Sequence, residues 1–266
     1  MSNSRAFYIT LPSNVKTFSN KPNKTSNYTT YLPKALELPS SQWEVSLCEI
    51  SYPHSWDNIY PAINKITFSL RENRDGFNIL QREVEIPRGY YTTLEELVEI
   101  INNEKPPEFK GSVGFEKAAR KRVKIILHTF EGIEMHPTIA SILGFDENKW
   151  FCKYSELGPF EDRMRIKASR PGDIRALSYN MYIYSNIVKE NLVGDRLVPL
   201  LRTVNVEGSD GDYIHKIYEI PHYLPLASDF IEHIEIRITN DQGDLIHFEF
   251  GKVIVKLHFR RKQILV

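Results

Sequence analysis

The sequence predicts a mainly β protein, a sandwich or jelly roll interrupted by a small α+β insertion. Three observations carry this expectation. Short segments with alternating apolar and polar residues recur towards both ends of the chain, separated by turn-forming residues. The clearest helical stripe lies between them, in GYYTTLEELVEIIN. The 266 residues suffice for one large domain or two modest ones, with a substantial core and no need of staples.

The elements follow in order. FYITLP is strand-like. The next stretch, SNVKTFSNKPNKTSNYTTYLPKALELPSSQ, is rich in Ser, Asn, Thr, Lys and Pro, which is loop or extended-arm chemistry. Residues 13–41 are therefore expected to be an arm that orders on assembly. In WEVSLCEISYP, Trp43, Val45 and Leu47 alternate with polar residues, so a strand with one buried face is expected. INKITFSL and FNILQREVEIP are two further strands, and Asp75-Gly76 between them is a hairpin signal.

The helix comes next. Thr92 or Thr93 can cap it, each with Glu95 or Glu96 three residues on, the spacing of a capping box. Leu94, Leu97, Val98 and Ile101 form its apolar stripe, and NEKPPEFKG ends it. RVKIILHTF is a strand through Val123, Ile125 and Leu127. HPTIASILGF is a short helix, with Pro137 in its first turn and Gly144 at its end. The expected organisation is residues 1–86 as N-terminal strands and arm, 87–150 as the α+β insertion, 151–177 as a connector, and 178–266 as C-terminal strands.

Within the last segment SYNMYIYSNIV, LVPLLRTVNV, YIHKIYEI and IEHIEIRI are strands. LIHFEF is expected to pair with IEHIEIRI as a hairpin across TNDQGD. In FEFGKVIVKLHFRR the alternation breaks. Phe248 and Phe250 sit at even positions, whereas Val253, Val255, Leu257 and Phe259 sit at odd ones. A one-residue offset is what a β-bulge produces, and glycine tolerates the backbone angles of some bulges. A bulge at Phe250 and Gly251 is expected to bend one long closing strand.

Charge and composition restrict function. Thirty-four basic residues balance thirty-four acidic ones, which argues against bulk electrostatic binding of nucleic acid. Cys48 and Cys152 form no CxxC, so two reduced thiols are expected rather than a disulfide framework or a zinc site. The N-terminus has no apolar run of signal-peptide length, and no stretch approaches the ~20 apolar residues of a bilayer span. The sequons at Asn23 and Asn27 are read as chance. Of the eight histidines, His54, His128, His136, His215, His222, His233, His247 and His258, none makes HxH or HExxH. Asp210-Gly211-Asp212 lacks the remaining positions of a calcium loop and reads as a solvated turn. GxSxG, P-loop and GxGxxG motifs are absent from the sequence. No cofactor, metal or catalytic residue is predicted.

What remains favours assembly. Tyr182 and Tyr184 share the face opposite Met181 and Ile183, as a core strand or a partner-facing strand would arrange them. In IVKENLVGDRLVPLLRTV, Val193, Gly194, Leu197, Val198 and Pro199 form an apolar run too continuous for a half-exposed strand. They make a candidate subunit interface, or a doubly buried strand with its turn. The basic runs KAARKR (117–122) and Arg260, Arg261 and Lys262 are solvated ends or candidate contacts with nucleic acid or an acidic partner.

The ordered set FYITLPSN, WEVSLCEISYPHSW, GYYTTLEELVEIIN, IASILGF, YIYSNIVKENLVGDRLVPLLRTV and FEFGKVIVKLHFRR resembles the minor capsid, or penton, protein of Polinton (Maverick) elements and adintoviruses. It covers most of the chain, most strongly at residues 7–12, 43–56, 89–102, 183–204 and 245–261. The resemblance implies a single jelly roll and a homopentamer at the fivefold vertices of an icosahedral capsid. It also implies a double jelly-roll major capsid protein as partner, a host receptor as a further candidate partner, and no catalytic residues. The protein would belong to the virion and assemble inside the host cell. The unit at 87–150 departs from a minimal jelly roll, as an insertion between strands or a second domain. The alternative function is a jelly-roll module that binds carbohydrate or a receptor.

Overall fold

The computed structural model describes residues 6–16, 22–71, 79–109, 114–118, 122–128, 131–146, 163–175 and 179–262. The chain divides into two units: Met1–Trp56 with Ser178–Val266, and Asp57–Leu177. The first unit begins with β1 (Ala6–Pro12), β2 (Asn27–Glu37) and β3 (Trp43–Pro53). The second contains β4 (Lys65–Arg71), β5 (Ile79–Glu85), α1 (Leu94–Glu104), β6 (Gly114–Ala118), β7 (Arg122–His128), β8 (Glu131–Met135), α2 (Pro137–Leu143) and β9 (Arg163–Lys167). The first unit resumes with β10 (Asn180–Ser185), β11 (Asn191–Val193), β12 (Arg196–Val198), β13 (Leu200–Asn205) and β14 (Tyr213–Ile217). It ends with β15 (Leu224–Pro225), β16 (Phe230–Thr239) and β17 (Ile254–Arg261).

Two sheets make the first unit. One runs β1-β17-β3-β14, with β15 beside β3, and the other runs β13-β10-β16-β2. Leaving aside the short β11, β12 and β15 and renumbering the rest, the orders are 1-8-3-6 and 5-4-7-2. Strands distant in sequence interleave in both sheets, which is the jelly roll. The inner faces meet through Leu11, Val45, Leu47, Val255, Leu257 and Phe259 from one sheet and Met181, Ile183, Ile234, Ile236 and Ile238 from the other, all buried. The alternation of β16 is as the sequence predicts, with its isoleucines inward and Glu235 and Arg237 outward.

Several expectations need correction. The bulge is not at Phe250 and Gly251. Leu257 pairs with Leu47 while Lys256 pairs with Glu49, so Cys48 is the extra residue, on β3. The inward set of β3 accordingly shifts from Val45 and Leu47 to Ile50 and Tyr52, and the strand is largely buried on both faces instead of one. Gly251 instead sits before β17 with φ 81°, and Phe250 is exposed.

Residues 245–250 also form no hairpin strand with β16. Both edges of β16 are already occupied, by β10 and β2. Only an isolated bridge, Thr239 to Leu245, joins them. The segment crosses instead to the other sheet, where the Glu249 N–H donates to the Ser55 carbonyl at 2.6 Å and Phe248 meets Trp56 edge-on. The supposed arm likewise contains the eleven-residue β2, because an edge of β16 was open to it. Tyr28 anchors that strand: its side chain is buried and its hydroxyl donates to the Leu11 carbonyl at 3.1 Å. Burial pushes the Tyr28 hydroxyl pKa far up, which keeps it a neutral donor.

The second unit begins at Asp57, ahead of the expected start at 87, because β4 pairs with β5 on one edge and with β8 on the other in a three-stranded sheet. A second sheet, β6-β7-β9, takes in residues 163–167, which were expected to be connector. β7 has an open edge, and Ile166 packs against the core while the charged neighbours face outward. The two helices form as predicted. Thr93 caps α1, its hydroxyl accepting from the Glu96 N–H at 3.2 Å, while the Glu96 carboxylate reaches back to the Thr92 N–H at 2.9 Å. Leu97 and Ile101 are buried. Pro137 opens α2, and Gly144 closes it at φ 89°.

Candidate assembly surface

β11 and β12 form a separate two-stranded hairpin in register Leu192 to Leu197, turning at Gly194-Asp195. Two strands alone are marginal in water, so the sandwich has to hold them. The Ser185 N–H donates to the Pro199 carbonyl at 3.1 Å, the Asn191 amide donates to the Leu200 carbonyl at 2.9 Å, and Val188 bridges to Leu226. Alternation sorts the side chains. Arg196 and Val198 line a groove of about 390 Å³ with Pro199, Tyr184, Glu235 and Arg237. Leu192 and Leu197 point elsewhere and are 71% and 64% exposed.

The sequence-predicted interface residues are thus only partly brought together. Tyr184, Val198 and Pro199 share the groove, and Leu197 borders another with Val188 and Ala227. Val193 is half-buried on the hairpin, and Gly194 is at its turn. Tyr182 lies apart, its hydroxyl donating to Asp241 at 3.4 Å. Burial and then that carboxylate hold its pKa up. Leu192 was not singled out from the sequence, although its pairing with Leu197 across a Gly-Asp turn was the available signal.

The basic end of the chain is largely committed to the sheet. Arg260 pairs with Glu44 at 2.6 Å, and its guanidinium lies 3.3 Å from the centre of the Tyr223 ring. Lys262 donates to the Ser40 carbonyl at 2.8 Å. Arg261 lies 5.8 Å from the Trp43 ring and is exposed. The middle of KAARKR, residues 119–121, and Cys152 lie outside the described residues.

Several of the polar residues considered for chemistry have structural partners. Asp212 caps its own turn, accepting from the Ser209 N–H at 2.7 Å. His136 caps α2. His258 bonds the Tyr223 hydroxyl at 2.7 Å and stacks on Tyr8. Burial and then the neighbouring Arg260 charge lower its pKa. Burial raises the Cys48 thiol, which donates to the Lys256 carbonyl at 3.2 Å, so the nucleophilic thiolate is disfavoured. Ser51 and His215 approach to 2.7 Å on the sheet surface, and no carboxylate among the described residues orients that histidine. Among the described residues no group of three His, Cys, Asp or Glu side chains could hold a metal.

The mavirus penton protein has a similar structure over 97% of this chain and 99% of its own, at 12% sequence identity and a TM-score of 0.50. A chain of the Sputnik virophage matches over 97% and 98%, at 11% identity and a TM-score of 0.45. No protein-family model and no curated protein sequence matches. The likeness to the mavirus protein is one of fold: a jelly roll, over nearly the whole length of both chains.

Proposed function

We propose that this chain is a structural virion protein, the penton of an icosahedral capsid of the Polinton and adintovirus kind. It would form homopentamers at the fivefold vertices beside a double jelly-roll major capsid protein. The observation that carries this reading is the near-complete overlap with a solved penton protein, with so little of either chain left over. The motif order of the sequence points the same way. The reading requires no reaction centre and places the protein in the virion, assembled within the host cell. Purified protein is expected to give fivefold rings by negative-stain imaging and five-copy masses by mass photometry. A protein that stays monomeric at every concentration, with the major capsid protein present, would refute it.

The groove beneath the hairpin favours a second reading, a carbohydrate- or receptor-binding role for the same molecule. Tyr184, Glu235, Arg196 and Arg237 are among the residues that line it, a mixture of aromatic and charged residues suited to sugars. Glycan-array binding that is lost in Arg237→Ala supports this role, and an array without signal excludes it.

A further inference from the structure

The groove between the hairpin and the outer face of β10 and β16 has a more particular chemistry than sugar binding in general. Tyr184 of β10 stands directly opposite Arg237 of β16, a pairing that sets Cβ atoms about 4.5–5.5 Å apart. Glu235 lies two residues before Arg237 on the same face, about 7 Å along the strand. All three line the groove, and Arg196 lines it from the hairpin. Its volume falls within the usual range of a small-molecule site, about 300–1,000 Å³.

The walls are held in place. The Asn186 amide donates to the His233 carbonyl at 3.3 Å, and its oxygen accepts from the Glu235 N–H at 2.8 Å. The Asn240 side-chain oxygen accepts from the Gln242 and Asp244 N–H groups at 2.9 and 3.0 Å, which fixes the turn carrying Gly243 to the groove. A wall already ordered spares a ligand the cost of ordering it.

The cations of the groove are not neutralised within the protein. Among the described residues no carboxylate comes within ion-pair distance of Arg237, whose guanidinium donates to the Gly243 carbonyl at 3.5 Å. Arg196 has the neighbouring Asp195 at 3.9 Å, both side chains lying in solvent, where such a pair is weak. The Glu235 carboxylate approaches His233 at 3.5 Å instead. Guanidinium groups favour carboxylate and sulfate, an ionised carboxylate accepts from hydroxyls, and an aromatic ring packs on apolar C–H groups. An inorganic anion would use the arginines but meet like charge at Glu235. A neutral sugar would use Glu235 and Tyr184 but leave the arginines without a counter-charge.

We infer that the groove takes an acidic sugar: its carboxylate or sulfate pairs with Arg237, its hydroxyls donate to Glu235, and its ring packs on Tyr184. This inference rests on the carbohydrate-binding reading of the groove.

Lactose, sialyllactose and sulfated lactose share a neutral core and differ in the acidic group, so they serve as the probes, measured by biolayer interferometry beside a broad glycan array. At least one acidic probe is expected to bind about tenfold or more tightly than lactose, and the tighter of the two names the anion. Arg237→Gln should abolish that preference, whereas Glu235→Gln should weaken binding and keep it. Lys252→Gln removes the same charge from an exposed position just before β17, in the other sheet, and should change neither. All three positions are exposed, and circular-dichroism melting checks that each variant folds. Equal affinity for the three probes, a preference that survives Arg237→Gln, or an equal loss in Lys252→Gln would overturn the acidic-sugar inference while the carbohydrate reading stands. An array on which no glycan binds removes the carbohydrate reading itself, and the inference with it.

Discussion

The sandwich and the insertion treat their surfaces differently. Among the described residues, every large apolar side chain that is at least half exposed belongs to the sandwich: Tyr8, Tyr31, Tyr179, Leu192, Leu197, Tyr213, Ile217, Ile220, Phe230 and Phe250. The insertion has a core of its own, built on Ile66, Phe68, Leu97, Ile101, Val123, Ile125 and Ile142, and leaves no such residue outside it. Each unit thus satisfies its own interior, but among the described residues only the sandwich leaves large apolar side chains at least half exposed. The proposed assembly contacts therefore belong to the sandwich.

The largest effects should come from the two cores. Leu257→Ala in the sandwich and Leu97→Ala in the insertion each remove a fully buried side chain, at a cost of about 2–5 kcal/mol. Calorimetry should resolve two transitions, each variant lowering its own. A single transition lowered by both would merge the units into one cooperative block.

A pair of glycines sharpens the contrast. A side chain on Gly144 would collide with the Arg170 carbonyl and lie 3.0 Å from the Gly172 nitrogen, both backbone. One on Gly251 would meet only the Pro53 ring, at 2.9 Å. Both positions have left-handed φ. Gly251→Val is expected to cost about 1–3 kcal/mol, with part recovered in the Pro53→Ala background. Gly144→Val should cost more, without such rescue, as read by thermal melting. A Gly251 variant with wild-type melting would remove the strain argument for the sandwich.

A smaller effect is expected at the cap of α1. Thr93→Ala should lower only the insertion transition, by about 1 kcal/mol. The smallest effect is one of pH. His54 and His258, both in the sandwich, have pKa values lowered chiefly by burial. The unfolded chain takes up these protons first, so stability is full above the ordinary histidine value, about 6.5, and falls as pH drops through it. The sandwich transition should weaken on mild acidification more than that of the insertion. Equal shifts in both would locate the acid sensitivity elsewhere.

Much of this was legible in the sequence, and the gaps have physical causes. Helices α1 and α2 are set by local capping and periodicity, and both appear where expected. Strand β2 was obscured by its polar, turn-rich composition, since what makes it a strand is an edge of β16 roughly two hundred residues away. The mistaken hairpin after β16 has the same origin: local spacing suggested a partner, but two distant strands had filled both edges. The bulge had a visible signal, because Val45 and Leu47 give way to Ile50 and Tyr52 just as Phe250 gives way to Val253. Only pairing decides which offset is a bulge and which is a crossing between sheets. At the surface, the apolar run around Gly194 marked the hairpin, but not which leucines would face outward.

The strand order also has a consequence for synthesis on the ribosome. Within the two sheets β1 pairs only with β17 and β2 only with β16, while β3 waits for β14, β15 and β17. None of the three opening strands has a partner until the last quarter of the chain is made, whereas the insertion holds all of its own strands. At about 5–20 residues per second the early strands stay unpaired for roughly ten to forty seconds. The insertion can fold within that interval, while the unpaired edges depend on chaperones or on rapid completion of the chain to avoid aggregation.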